Sequence, residues 1–382
     1  MRLRMELRRV STDTCRIDKS SSDETKEISM QSVEVIDPVK DERWTDFIKV
    51  HPLAEFCHHP GWKTVLENSF PHVHGYYFVL IDDNTIQAAL PIFTVKSWII
   101  GDRLVSIPYA TLFDPLISTN DQFNTLFTHV KEFARNQGIK RIELDVFATS
   151  SLVQSDHLAM SSFYVMHCLK LSSDPEKLKK TFDRTCVVQK ISRAMKSGLT
   201  LRAAESEADV DEFYRLYSMT RKRVGLPPQP IVFFRQLWKT FYPLGTLQIL
   251  IATKESHALA ALLLLKHGKR TSAEYIGYDW NYLNLNPHHF LFWHAIKAAC
   301  EGGFEVFDFG RTAPTNIGLM DFKKRWGTIP VELPQCYYPA ESSGKNVLVE
   351  NPIKYRIVRG VCRHSPEFVY KGVASFLYRH MG

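Results

Sequence analysis

The sequence lacks the long hydrophobic runs that would carry a chain across a membrane. Its longest uninterrupted apolar run is residues 258–265, far shorter than the roughly 20 residues that a spanning helix needs. No apolar stretch near the N-terminus resembles the hydrophobic region of a signal peptide. These absences predict a cytoplasmic protein, for which contact with the inner face of the cytoplasmic membrane would be peripheral.

The residue patterns of metal centres and of covalent catalysis are also missing. The seven cysteines are scattered singly, without the paired spacing of zinc sites or disulfide frameworks. His288 and His289 begin a predicted helix, but no carboxylate or cysteine accompanies them at ligand spacing, so no metal site is expected. No Ser/His/Asp or Cys/His signature indicates a nucleophile, and a covalent intermediate is therefore not expected.

Positive charge is present in modest excess and is concentrated in two stretches. The formal net charge is +7. Residues 176–202 carry eight Lys/Arg against two acidic residues, and residues 354–379 carry six against Glu367. Such patches attract polyanions, here a tRNA, a phosphorylated precursor or an anionic membrane surface. Solvated helix faces have the same composition and remain the alternative. Stable DNA binding is not expected.

The periodicity of apolar residues predicts two halves with the same order of elements. Residues 1–32 are polar and aperiodic, which predicts a disordered segment. In 33–172 and again in 173–338, helices precede a meander of apolar strands, and residues 82–85 predict a hairpin with a longer loop. The order predicts an α/β (α+β) fold of two tandem domains, each a mixed, mostly antiparallel sheet flanked by helices. A basic helical tail, 339–382, is expected to pack back on the first domain.

The stretch 304–327 holds the best candidate for a functional site. It is predicted to be a strand that ends near Asp308, a polar loop that begins with Arg311, and a short basic helix or turn. Arg311, Lys323, Lys324 and Arg325 could converge on one ligand, and several cations around one acid suit an anionic ligand or a developing oxyanion. The alternative is a buried Asp308–Arg311 bridge beside a solvated basic face.

Near its C-terminal end the chain contains FDFGR, followed by DFKKRWG and a predicted strand. This pattern resembles the C-terminal signature of the FemABX-type peptidyltransferases, which are relatives within the GNAT acyltransferases. The similarity extends over roughly residues 33–382. It implies two GNAT-like domains and transfer of an aminoacyl or acyl group to an amine of a peptidoglycan or envelope polysaccharide precursor. It also implies that Lys323 contacts the oxyanion or a phosphate. Arg311 would clamp an anion, and Asp308 would orient Arg311 or relay a proton.

The turn after the strand that ends at Tyr278 bears on the identity of the donor. In acyl-CoA-dependent GNAT enzymes a glycine-rich loop here holds the pyrophosphate, and this chain has no such glycines. The departure favours an aminoacyl-tRNA as donor and argues against ordinary coenzyme A binding, although Asn286 at an open helix N-terminus could still bind a phosphate. No bound cofactor is expected.

We expect Tyr275 and Tyr278 to share one face of their strand. The predicted substrate-binding residues are Tyr275, Tyr278, Asn286, His289, Lys324 and Trp326.

Two other functions remain open at this point. One is a coenzyme A-dependent N-acetyltransferase acting on an amino sugar of an exopolysaccharide. The other is a protein without catalytic activity that binds anionic precursors. In each case the expected partner is a nucleotide- or lipid-linked envelope precursor.

Overall fold

The computed structural model describes residues 31–342 and 352–380. Within these residues twelve strands form one sheet, in the order β1-β2-β3-β4-β5-β12-β6-β11-β10-β9-β8-β7. The strands are β1 (Ser32–Ile36), β2 (Val73–Asp82), β3 (Thr85–Val95), β4 (Arg103–Val105), β5 (Ile142–Asp145), β6 (Ala159–Lys170), β7 (Thr200–Ala203), β8 (Leu247–Lys254), β9 (His257–His267), β10 (Arg270–Tyr278), β11 (Val306–Thr312) and β12 (Ile329–Tyr338).

Helices flank both faces of this sheet. Capping residues set several of their ends: the Ser206 hydroxyl accepts from the Asp209 amide at the start of α6, and Gly225, with φ 76°, ends it. The helices are α1 (Glu42–Val50), α2 (Pro60–Ser69), α3 (Asn120–Asn136), α4 (Pro175–Lys179), α5 (Gln189–Met195), α6 (Glu207–Val224), α7 (Ile231–Phe241), α8 (Pro287–Glu301), α9 (Ile317–Lys324), α10 (Pro352–His364) and α11 (Glu367–Tyr378).

The predicted fold class is confirmed. In the described part of the chain only β4–β5 and β10–β11 pair in parallel, and the other neighbours are antiparallel. None of the described helices combines the length and apolarity that crossing a membrane requires.

Alternating side chains of the sheet divide the interior into separate cores. One face of both halves shares a single core, in which Tyr77 of β2 and Ile251 of β8 belong to the same cluster as Phe233 of α7. On the other face, Leu80 packs in a cluster with α3 and Leu262 packs in another with α8. The shared core joins the two halves because helices of both pack against each other over it.

Two sequence predictions need correction or completion. The hairpin at 82–85 has a tight two-residue loop, since Asp83 and Asn84 both have positive φ, 44° and 57°. Residues 32–36 form a strand that pairs with β2, whereas residues 1–30 of the segment expected to be disordered lie outside the described residues.

The division into domains at about residue 172 stays a prediction. The structure adds that β12, from the second predicted domain, lies between β5 and β6 of the first. The tail contacts both halves: Tyr370 donates to the carbonyl of Leu226 at 2.9 Å, and the Tyr378 ring lies 6.4 Å from that of Phe70.

A glycine in β10 permits the close approach of α6. A Cβ on Gly277 would lie 2.2 Å from the Tyr217 amide nitrogen and 2.5 Å from the Leu216 carbonyl carbon, both backbone atoms. We therefore expect Gly277→Ala to lower the free energy of unfolding by about 3 kcal/mol or more, because the strand and helix must separate. Urea denaturation would measure this change.

The matched control for this prediction is Gly318→Ala in α9, where an added Cβ meets no atom within 4 Å. Because alanine favours a helix over glycine, this variant should gain up to about 1 kcal/mol. Equal effects of the two substitutions would contradict the packing argument.

Candidate active site

The site lies where β10 and β11 separate. The two strands pair in parallel only from Arg270 opposite Val306 to Ser272 opposite Asp308. Just beyond, β10 bulges relative to β9 between Ala273 and Tyr275, which leaves Glu274 without a partner on β9. β11 bulges relative to β6 after Asp308. Ligands of such sheets bind beyond the carboxyl ends of parallel strands, and the two bulges direct polar groups into that space.

Glu274 is the carboxylate at this separation. Its Oε2 accepts a hydrogen bond from the Thr111 hydroxyl at 2.9 Å, and its side chain comes from an otherwise apolar stretch of β10. Burial, helped by the negative charge of Asp308, raises the pKa of Glu274 to about 7, although Thr111, Arg311 and Lys323 oppose the shift. A carboxylate with such a pKa can accept a proton near neutral pH and return it.

Lys323, on α9, is the buried cation of the site. It is 5% exposed, and its Nζ donates to the carbonyls of Gly310 at 2.8 Å and Arg311 at 3.3 Å. Burial lowers the pKa of Lys323 to about 8, and the charges of Asp308 and Glu274 oppose that shift. An ammonium has three donors. Two of them bind the carbonyls of Gly310 and Arg311 in this structure.

Asp308 belongs to a buried ion cluster and does not form the predicted bridge to Arg311. Its Oδ2 lies 3.6 Å from Nη1 of Arg270, whose Nη2 lies 3.5 Å from Glu55. Its Oδ1 accepts from the Gly310 amide at 2.7 Å. Burial raises the pKa of Asp308 even though Arg270 and the Gly310 amide oppose the shift. The carboxylate therefore holds the bulge of β11 in place, and Arg270 is its cationic partner.

Arg311 faces the first half of the chain. Its guanidinium carbon lies 5.1 Å from the centre of the Tyr164 ring, and its side chain lines a narrow cavity with Thr111, Asp145 and Gln335. The backbone carbonyl of Arg311 binds Lys323, while the exposed side chain points to this cavity. Lys323 therefore binds the backbone of the bulge that carries Arg311, but of the two side chains only that of Arg311 lines the cavity.

Two predicted substrate-binding residues are core residues instead. Trp326 is fully buried and His289 is 1% exposed. Their rings stack with centres 5.7 Å apart, and Nε2 of His289 lies 3.1 Å from the Cys186 carbonyl. Burial lowers the pKa of His289 to about 2. Neither side chain reaches the accessible surface, so we correct both assignments to packing roles.

Tyr275 and Tyr278 do not share a face of β10. Their spacing of three residues places them on opposite faces, because strand side chains alternate. Tyr275 packs with Tyr217 and Phe234 in the core shared by both halves. Tyr278 packs in the other core, with its ring 5.7 Å from that of His288. The prediction that the two tyrosines share one face of their strand is therefore wrong.

Two other predicted contacts, Asn286 and Lys324, stay predictions. Asn286 precedes α8 in a left-handed conformation, φ 55°, and its side chain makes no cap to the helix amides. Lys324 is exposed on α9. In the part of the chain that the structure describes, no three His, Cys, Asp or Glu side chains are grouped to hold a metal ion.

Comparisons with known proteins agree with this geometry. An acetyltransferase (GNAT) domain matches residues 184–324, which include Glu274, Asp308, Arg311 and Lys323. A UDP-N-acetylmuramoylpentapeptide-lysine N(6)-alanyltransferase of Weissella viridescens is 24% identical over 268 residues, 63% of this chain and 75% of the relative. The crystal structure of FemX superposes with a TM-score of 0.64 at 15% identity, over 78% of this chain and 95% of that one. These similarities support a FemABX-like family.

The FemABX-like assignment confirms the predicted resemblance and supports an acyltransferase. A tandem GNAT protein from the clavulanic acid biosynthesis pathway has the same fold, with a TM-score of 0.52 at 12% identity over 81% of this chain and 99% of that one. The residues that match the GNAT domain include Glu274, Arg311, Lys323 and both bulges. Thr111 and Tyr164 come from the first half, so the candidate site draws on both halves.

Sequence reasoning missed Glu274, Thr111 and Arg270. Glu274 did leave a signal: it is a charged residue in the middle of a strand whose neighbours, Ala273 and Tyr275, are apolar. A carboxylate at such a position indicates a β-bulge or a functional group, and Glu274 lies at a bulge within the candidate site. Thr111 has no comparable signal, because only the fold brings it to Glu274.

Proposed function

We propose that the chain transfers an aminoacyl group from an aminoacyl-tRNA to an amine of a peptidoglycan precursor. The observation that carries the proposal is the pair of opposite charges, Glu274 and Lys323, at the separation of β10 and β11 within the matched GNAT domain. The similar alanyltransferase is named for adding alanine to a lysine amine of UDP-N-acetylmuramoylpentapeptide, which supports an amine acceptor of this class.

The proposed reaction is an aminolysis in which each group has one role. A neutral acceptor amine attacks the ester carbonyl, a nitrogen–carbon bond forms, and negative charge develops on the carbonyl oxygen. The third N–H of Lys323 stabilises that oxygen, and Glu274 accepts the surplus proton of the attacking nitrogen. The acyl carbon–oxygen bond then breaks, and Glu274 returns the proton to the departing ribose oxygen. The products are an amide and a free tRNA.

The assignments of Arg311 and Asp308 stay proposals within this scheme. Arg311 lines the cavity between the halves, where a guanidinium can bind a phosphate or carboxylate of the acceptor in a bidentate manner. Asp308 is a positioning residue. It binds the Gly310 amide, and the Gly310 carbonyl in turn binds Lys323.

The surface beside α9 supports a polyanionic donor. Exposed cations cover α4, α5 and the segment between them, and Lys324 and Arg325 extend the same surface. The segment between α4 and α5 contacts the turn after α9 directly, because the Asp183 amide donates to the Arg325 carbonyl at 2.8 Å. A phosphate backbone bound along these helices would approach the element that carries Lys323. Such binding weakens steeply with salt because counterions are released.

We expect the triple variant Lys180→Ala, Arg193→Ala, Lys196→Ala to bind alanyl-tRNA at least about tenfold more weakly. Removing three phosphate contacts should also reduce the slope of log K against log salt by about two to three. Filter binding or calorimetry across a salt series would measure both quantities. Binding of acetyl-CoA, measured in parallel, should be weak and unaffected by the substitutions.

The control is the triple variant Lys40→Ala, Lys49→Ala, Lys140→Ala, which removes exposed cations from the first half and should leave tRNA binding unchanged. Saturable acetyl-CoA binding with turnover, together with no effect of the first variant on tRNA, would replace the proposed donor by an acyl-CoA. Binding of donors and precursors without turnover of any donor would refute the enzymatic function itself.

A further inference from the structure

The outer surface of α11 and the turn at 98–100 expose large apolar side chains. Trp98 is 81% exposed, Phe368 is 77% exposed and Phe376 is 47% exposed. The Trp98 ring lies 6.3 Å from that of Phe376, so the turn and the helix form one continuous patch. Ile357 and Val361, one turn apart on α10, are also exposed. Exposed apolar residues in such a group mark an interaction surface.

The other face of α11 fixes this helix to the protein body. Tyr370, Ala374 and Tyr378, spaced at four residues, are buried. The Tyr370 hydroxyl donates to the carbonyl of Leu226 at 2.9 Å, and Ser97 Oγ lies 3.2 Å from Nδ1 of His380. The helix is therefore anchored along its length, and Phe368 and Phe376 project from its outer face.

Positive charge predominates beside the patch, where the one acidic residue of the tail helices, Glu367, pairs with Lys371 at 3.5 Å. Residues 354–379 contain six Lys/Arg and one acidic residue. Lys371 and Arg379 are exposed and lie three residues beyond Phe368 and Phe376, on the same side of α11, and Lys96 is exposed beside Trp98. Aromatic side chains with neighbouring Lys and Arg residues are typical of helices that lie in a membrane interface.

We propose that this surface binds an anionic lipid membrane. The aromatic rings of the patch enter the interface between headgroups and acyl chains, and the surrounding cations pair with lipid phosphates. Charge complementarity favours a lipid surface over a protein partner, because an excess of cations beside exposed Trp and Phe matches both the charge and the apolar interior of an anionic bilayer. The protein lies on the membrane, since its described helices do not span one.

Sedimentation with vesicles tests the proposal. The full chain should bind vesicles that contain phosphatidylglycerol, at least about tenfold more tightly than vesicles of phosphatidylcholine alone, and added salt should weaken this binding. Trp98→Ala with Phe376→Ala should reduce binding to anionic vesicles by about tenfold or more. Lys371→Glu with Arg379→Glu should do the same while retaining the aromatic rings, so a folding defect in one variant does not leave the question open.

Val50→Ala with Val39→Ala is the control, because both side chains are exposed apolar residues on the first half, and it should bind as the wild type does. Equal binding to both kinds of vesicle, or full binding by both patch variants, would overturn the proposal. So would a dimer that the patch variants abolish, since the surface would then belong to a second copy of the chain. Vesicle binding is measured without donor or acceptor, so its outcome is independent of the proposed acyl transfer.

Discussion

Replacing Lys323 with Met is expected to lower kcat by about 10²–10³, the loss found when one oxyanion donor is removed. The loss should appear mainly in kcat, because the oxyanion exists only in the transition state. Single-turnover rates with a charged tRNA and a peptidoglycan precursor would measure it. Lys323→Arg, which keeps a positive charge, should recover part of the rate.

Lys324→Met is the matched control for this prediction. Lys324 neighbours Lys323 on α9 but is exposed, whereas Lys323 is 5% exposed, so its loss should leave kcat nearly unchanged. Thermal unfolding must accompany the measurement, because Met at 323 leaves the carbonyls of Gly310 and Arg311 without their donor. A well-folded Lys323→Met protein with an unchanged rate would remove Lys323 from the mechanism.

Sequence alone could locate part of the candidate site because Asp308, Arg311 and Lys323 lie in one contiguous stretch. The strand around Asp308, the loop after Arg311 and the basic helix were all predictable from periodicity and charge. Sequence could not decide which cation of DFKKRWG is buried. In α9 and the turn that follows it, Lys323 and Trp326 are buried and Lys324 and Arg325 are exposed, and a shift of one residue in the helix start would exchange these roles.

The parts that sequence could not predict depend on irregular backbone. Glu274 lies at the irregularity of β10, where it has no partner on β9, and regular alternation of side chains gives no sign of such a bulge. The partner of Asp308 is Arg270, which is distant along the chain and approaches only through the parallel pairing of β10 and β11. Local patterns favoured Arg311 instead, because it is the nearest cation in sequence.

The opposite pKa shifts of Glu274 and Lys323 impose a narrow pH range on activity. Transfer needs Glu274 deprotonated, so the rate should rise as the pH passes about 7. It also needs Lys323 protonated, so the rate should fall as the pH passes about 8. The profile of kcat/KM should therefore be a narrow bell whose two limbs report the coupled pair. Lys323→Arg should move the alkaline limb to higher pH, since arginine does not deprotonate in this range.

Glu274→Gln is expected to lower kcat by about 10²-fold or more and to remove the acidic limb of that bell. Glutamine keeps the size of the side chain and can still accept the hydrogen bond from Thr111, but it cannot accept the proton of the attacking amine. Thr111→Val offers a finer test. The hydrogen bond from Thr111 lowers the pKa of Glu274, so its removal should shift the acidic limb to higher pH while the maximal rate changes little. A Glu274→Gln enzyme that keeps both its rate and its acidic limb would assign the proton to another group, such as the substrate itself.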